Sequence, residues 1–165
     1  MKPSFLLIFI ISWNSLSAQC KIPGHYENFD GCAIDIYPDS TFHFSWHFDM
    51  MGSWTKGSWG CDKDTIVLTM IPIYDTVAYP TTNNSSADSL VLSIDTIAER
   101  KSPEPSNVLY SGGQNRYPCP TRLLFRKDRL YYLNEDSKVE VKWERPFGSR
   151  RGKKYPNWFV RRPPN

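Results

Sequence analysis

Thr41-Phe42-His43-Phe44-Ser45-Trp46-His47-Phe48-Asp49 alternates polar and aromatic residues over nine positions. Successive side chains of a β-strand point to opposite faces, so this period of two predicts a half-buried strand. Phe42, Phe44, Trp46 and Phe48 take its core side, and His43, Ser45, His47 and Asp49 the other. Working outward, residues 32–37 read as a preceding strand, joined through Pro38-Asp39-Ser40. That tripeptide is turn chemistry, because proline presets φ and aspartate bonds the backbone ahead of it. Residues 52–59, 65–71, 89–94, 122–126, 129–133 and 139–143 continue the pattern, with a two-residue Lys127-Asp128 turn between the sixth and seventh of these eight segments. No stretch shows a 3.6-residue apolar period with caps at both ends. The expectation is all-β: a small antiparallel barrel or sandwich of seven or eight strands.

The chain has 165 residues. Met1-Lys2, the seven apolar residues 5–11 and Ser15-Leu16-Ser17-Ala18 have the three-part layout of an export signal, with cleavage expected after Ala18. The apolar run is too short for a stable anchor, so no transmembrane anchor is expected. The reading places the protein outside the cytoplasm, periplasmic or secreted, with lipidation at Cys20 as the rival that Gln19 fits badly. The domain expectation is a signal over 1–18, an antiparallel β domain over 19–145 and an irregular, basic, aromatic segment over 146–165. The formal charge of +3 hides a polarity. Residues 19–115 hold five Lys or Arg against twelve Asp or Glu, and residues 116–165 hold fourteen against five. The balance of the whole argues against nucleic acid, but Arg150, Arg151, Lys153, Lys154, Arg161 and Arg162 are candidate anion-binding residues at the envelope.

In an exported chain Cys20, Cys32, Cys61 and Cys119 are disulfide candidates, with three pairings open. Two stretches look irregular: residues 80–88, and the Pro-rich loop 102–120 with four prolines and a Gly-Gly pair. Residues 64–70 and 88–94 echo each other in residue type, which suits a turn exit into a strand.

Gly24-His25-Tyr26, Pro38-Asp39-Ser40-Thr41-Phe42, Gly57-Ser58-Trp59, Asp64-Thr65-Ile66-Val67-Leu68 and the hairpin from Leu123 to Tyr131 together resemble small exported lipocalin-like β-barrel proteins of Gram-negative bacteria. The resemblance covers about a third of the chain, and departs from the pattern in having Ser40 where a turn glycine is usual. It implies an antiparallel barrel or open sheet and little about activity. Asp39-Ser40-Thr41, Asp64-Thr65-Ile66, Asp75-Thr76-Val77, Asp88-Ser89-Leu90 and Asp95-Thr96-Ile97 also resemble a bacterial O-glycosylation acceptor motif.

No nucleophile elbow, phosphate loop or His-Glu-x-x-His occurs. His43 and His47 lie roughly 13 Å apart along one strand, too far to share a metal ion. No metal, cofactor or catalytic residue is expected, and the chain reads as a non-enzyme. Trp46, Trp54, Trp59, Tyr131 and Trp143 are the candidate ligand-binding residues, able to line a pocket or stack on sugar rings. The expected function is binding of an apolar or glycan ligand in a barrel pocket. The alternative is an envelope interaction protein that uses its basic C-terminus against an anionic partner.

Overall fold

The computed structural model describes residues 22–80, 86–102, 112–146 and 151–163; Cys20 and the signal lie outside them. Among the described residues there is no helix. The strands are β1 (Gly24–Glu27), β2 (Cys32–Ile36), β3 (Thr41–Phe48), β4 (Met51–Asp62), β5 (Thr65–Met70), β6 (Tyr74–Pro80), β7 (Ser86–Leu92), β8 (Arg100–Lys101), β9 (Gly112–Gln114), β10 (Arg122–Arg126), β11 (Arg129–Tyr132), β12 (Trp143–Glu144), β13 (Tyr155–Pro156) and β14 (Phe159–Arg161).

Eight of them form a closed antiparallel barrel, in ring order β1, β2, β3, β4, β5, β10, β11, β14 and back to β1. The decisive stretch behaves as its period requires. Phe42, Phe44 and Trp46 are buried, Phe48 packs against them, and β3 pairs with β2 on one side and β4 on the other. Eight strands enclose a space that side chains can fill. Tyr26, Ile34, Phe44, Ile66, Leu123, Leu130 and Phe159 fill it, each with no exposed surface.

Two turns solve their geometry without glycine. Ser40 takes the left-handed conformation at φ 66°, at the position where the resemblance led to glycine. Lys127 and Asp128 both have positive φ, 51° and 56°, which is the type I′ geometry that matches the twist of a two-residue hairpin.

Four expectations about the strands and loops change. In the C-terminal segment, the described residues 151–163 are not an irregular appendage: β14 pairs with both β1 and β11 and closes the barrel. Arg161 secures that closure. Its guanidinium lies over the rings of Tyr26 and Phe125, donates to the Tyr26 hydroxyl and the Ile22 carbonyl, and meets Asp128 at 3.3 Å. Residues 89–94 do not join the barrel. They fall within and just beyond β7, which with β6 and β8 forms a separate three-stranded sheet. Asp75 organises that sheet: it is buried, accepts the Glu99 N–H at 2.9 Å and meets Lys101 at 2.9 Å. Burial works to raise its pKa, yet these partners hold it below the ordinary carboxylate range. Residues 139–143 make one bridge, Leu133 to Val139, and only Trp143 enters a strand, in the β12–β13 ribbon. The long loop also contributes: its Gly-Gly pair is the start of β9, which lies parallel to β4.

No disulfide joins any two of the described cysteines Cys32, Cys61 and Cys119. Burial pushes the Cys32 and Cys119 thiols up to about 12, which keeps them protonated.

Gly57 pairs with Phe42 of β3 and Met70 of β5, and a Cβ there would sit 2.0 Å from the Thr69 carbonyl oxygen. Gly57→Ala is therefore expected to destabilise the barrel by about 3 kcal/mol, read by urea denaturation. Arg161→Met keeps the aliphatic stem but removes the donors to Tyr26 and Ile22, and is expected to cost about 2 kcal/mol in the same measurement. Wild-type stability in that variant would contradict the closing role.

Candidate functional site at the barrel mouth

The barrel end that carries the β1–β2 turn opens into a cavity of about 370 Å³. Its inner part is aromatic. Tyr132 and Tyr117 line it, and the Tyr117 ring stacks on Trp46 at 4.8 Å. Buried Ser53 of β4 holds Tyr117 in place by accepting its backbone N–H at 2.8 Å. Burial raises the pKa of both tyrosines well above the ordinary phenol value, so each presents a neutral O–H.

The rim is polar. Asn28 shapes the β1–β2 turn, its side-chain oxygen accepting the N–H groups of Asp30 and Cys32 at 2.9 and 3.0 Å. That turn presents Phe29 and Asp30 to the cavity, and Phe29 stacks on Tyr155 at 5.5 Å. Glu140, Lys142 and Glu144 form the opposite wall. Asn157 ties this wall to the barrel: its side chain accepts the Lys142 N–H at 3.1 Å and donates to the Glu140 carbonyl at 3.2 Å. Lys142 meets Glu140 at 2.7 Å, which raises its pKa. Three carboxylates therefore face one ammonium that is already paired.

The structure distributes the expected ligand residues rather than gathering them. Trp46 lies beneath the mouth, its indole N–H donating to the Asp30 carbonyl at 3.1 Å. Trp54 binds the Ile94 carbonyl at 2.8 Å and fastens the small sheet to the barrel. Trp59 packs at the other barrel end, donating to the Tyr37 carbonyl at 2.8 Å. Tyr131 and Trp143 meet outside the barrel on Trp158, at 5.5 and 6.0 Å, with the Arg129 guanidinium 5.3 Å from the Trp158 ring centre. Of the basic candidates, Arg161 is the closing clamp and Arg162 pairs with Glu27 at 2.8 Å. Arg151, Lys153 and Lys154 are exposed, and Arg150 lies outside the described residues. Asp30, Tyr117, Glu140, Glu144 and Asn157 were not distinguished by sequence, because they come from separate segments with no shared motif.

A second polar cluster lies on the outer wall of β1, β2 and β3. His25 Nδ1 is 2.6 Å from Asp35 and Nε2 is 3.0 Å from Glu27, while His43 Nδ1 is 3.9 Å from the other Asp35 oxygen. Two carboxylate partners call for two N–H donors, which only the imidazolium supplies. The His25 pKa is accordingly raised, chiefly by the Glu27 hydrogen bond and further by Asp35, against burial. His43 is shifted down, chiefly by burial. Among the described residues no cluster of His, Cys, Asp or Glu could hold a metal ion, and no helix is long and apolar enough to cross a membrane.

Comparison with protein-family models, curated proteins and solved structures finds no match.

The His25 cluster makes a prediction about pH. A raised histidine pKa stabilises the fold fully below the ordinary histidine value, about 6.5, and the gain is lost as pH rises through the folded value. Glu27 is held below its ordinary pKa, chiefly by its hydrogen bond from His25, so its own contribution is lost as pH falls through that lowered value. The wild-type minus His25→Gln difference in Tm is expected to be largest in mildly acidic buffer and to shrink above neutrality. A difference that does not vary with pH would remove the cluster's electrostatic role.

Proposed function

We propose that this chain is an exported, non-enzymatic binding protein whose barrel mouth takes a sugar or short glycan. The observation that carries the reading is the pairing of tyrosine rings with carboxylate and amide acceptors around one opening. Sugars offer C–H faces that pack on aromatic rings and hydroxyls that donate to carboxylates. An apolar ligand suits this rim less well, because it would desolvate Asp30, Glu140 and Glu144 without replacing their hydrogen bonds. An anion meets an excess of negative charge. A volume near 370 Å³ lies at the small end of ligand pockets, which fits one or two rings. Export rests on the layout of residues 1–18, and the lipocalin-like affinity on the motifs and the barrel form.

The alternative, binding of an anionic envelope component, is supported by the exposed Arg151, Lys153 and Lys154. Truncating the C-terminus cannot test it, since β14 would be lost; replacing Lys153 and Lys154 with Gln leaves the barrel strands intact.

The test is calorimetric titration with a panel of neutral mono- and disaccharides. At least one is expected to bind, and Asp30→Asn and Glu144→Gln are each expected to weaken it about tenfold, the loss of one hydrogen bond to a charged group, with unchanged Tm. No binding across the panel, or binding indifferent to both variants, would defeat the proposal. Binding to anionic vesicles that is lost in Lys153→Gln/Lys154→Gln would favour the alternative.

A further inference from the structure

The geometry points to a second binding site, separate from the mouth, that takes a single-chain amphiphile with an anionic head. It is a groove of about 680 Å³ on the outer wall of the barrel, between β3–β4 and the chain that leads into and out of the small sheet. One side is a ledge formed by residues 71–73. The Ile71 N–H donates to the Lys56 carbonyl at 2.9 Å, and the Ile73 N–H donates to the Gln114 side-chain oxygen at 3.2 Å. Thr96 continues that side, from the bend that Trp54 anchors through the Ile94 carbonyl. Tyr37 stands opposite, at the β2–β3 turn.

The walls are apolar and open to solvent: Ile71 is 56% exposed and Tyr37 44%. Apolar surface lining a concave groove favours an apolar occupant, because water is released when it binds. Lys56 and His43 lie directly opposite each other in the β3–β4 pairing and form the polar end. Lys56 is half-buried, and among the described residues no carboxylate lies within ion-pair distance of it. Two carboxylates lie beside the groove and both are engaged: Asp35 by His25 at 2.6 Å, facing His43 at 3.9 Å, and Asp39 by the hydroxyl of the lining residue Thr41 at 2.6 Å. An ammonium short of a counter-charge at the end of an apolar trough selects an apolar chain with one anionic group. The mouth has the opposite character, with an excess of carboxylates, so the two sites call for different ligands.

The test uses the full chain, decanoate and decylamine as probes, calorimetry for affinity and amide chemical shifts for location. Decanoate is expected to bind once per chain, with shifts at residues 37, 56, 71 and 73. Decylamine is expected to bind at least tenfold more weakly, the factor that one hydrogen bond to a charged group represents. Lys56→Gln is expected to abolish that preference while leaving the far-UV spectrum unchanged. Asp30→Asn, at the mouth, is expected to leave decanoate binding as it was. The inference is overturned by absence of decanoate binding, by equal affinity for the two probes, or by shifts that map to the mouth instead. The wild-type shift map decides the question even if Lys56→Gln does not fold.

Discussion

The barrel depends on closure by its last strand. β14 contributes only three residues, yet it carries hydrogen-bonded neighbours on both sides and brings Phe159 to the centre of the core. A strand this short gains little from its own ladder. The Arg161 side chain adds what the ladder lacks, binding the Tyr26 hydroxyl and the Ile22 carbonyl and covering two aromatic rings. A guanidinium suits this position because it is weakly hydrated, planar and always charged, so it can stack and donate at once. Burial raises the Tyr26 pKa, with Arg161 opposing, and the hydroxyl stays neutral as a relay between the arginine and the Ile22 carbonyl.

That closure changes the meaning of the charge asymmetry. The basic C-terminal third is in part a set of intramolecular partners for the acidic first half. Arg161 and Arg162 reach Tyr26 and Glu27 across nearly the whole chain length. Of the cations that stay exposed, Lys153 lies just before β13 and over Tyr155, in the Phe29–Tyr155 stack at the edge of the mouth. Charge polarity along the sequence is therefore converted into local pairing around the barrel, and only part of it is left for a partner.

The strands were legible where one face is core and the other is solvent, because alternation then writes the pleat directly into residue type. β2, β3, β5, β10 and β11 are such strands, and their turns were legible from Pro38-Asp39-Ser40 and Lys127-Asp128. β14 was hidden: Phe159-Val160-Arg161 is too short for a period, and its arginine is inward-reaching but looks like surface charge. Residues 89–94 carry the same local signal as β5, and nothing local says which sheet a strand joins. The mouth was the least legible. Trp46 pointed near it, but Asp30, Tyr117, Glu140 and Asn157 meet only because the β1–β2 turn, the end of the long loop and the 140–144 segment converge at one barrel end. The aromatic residues picked by type were mostly used elsewhere, since an indole N–H that finds a backbone carbonyl, as in Trp54 and Trp59, serves to pin structure.

The sequence by itself determined the all-β class, the core face of the central strands and the two hairpins, because a side-chain period of two and turn chemistry are local properties. Only the tertiary structure decided that the ring closes through the C-terminus, that the small sheet stands apart, and that an acidic aromatic mouth and a cationic apolar groove lie at different places on the same barrel. Those outcomes depend on which distant segments pack together, and pairing over long sequence separation is set by the summed burial of the whole core rather than by any one stretch.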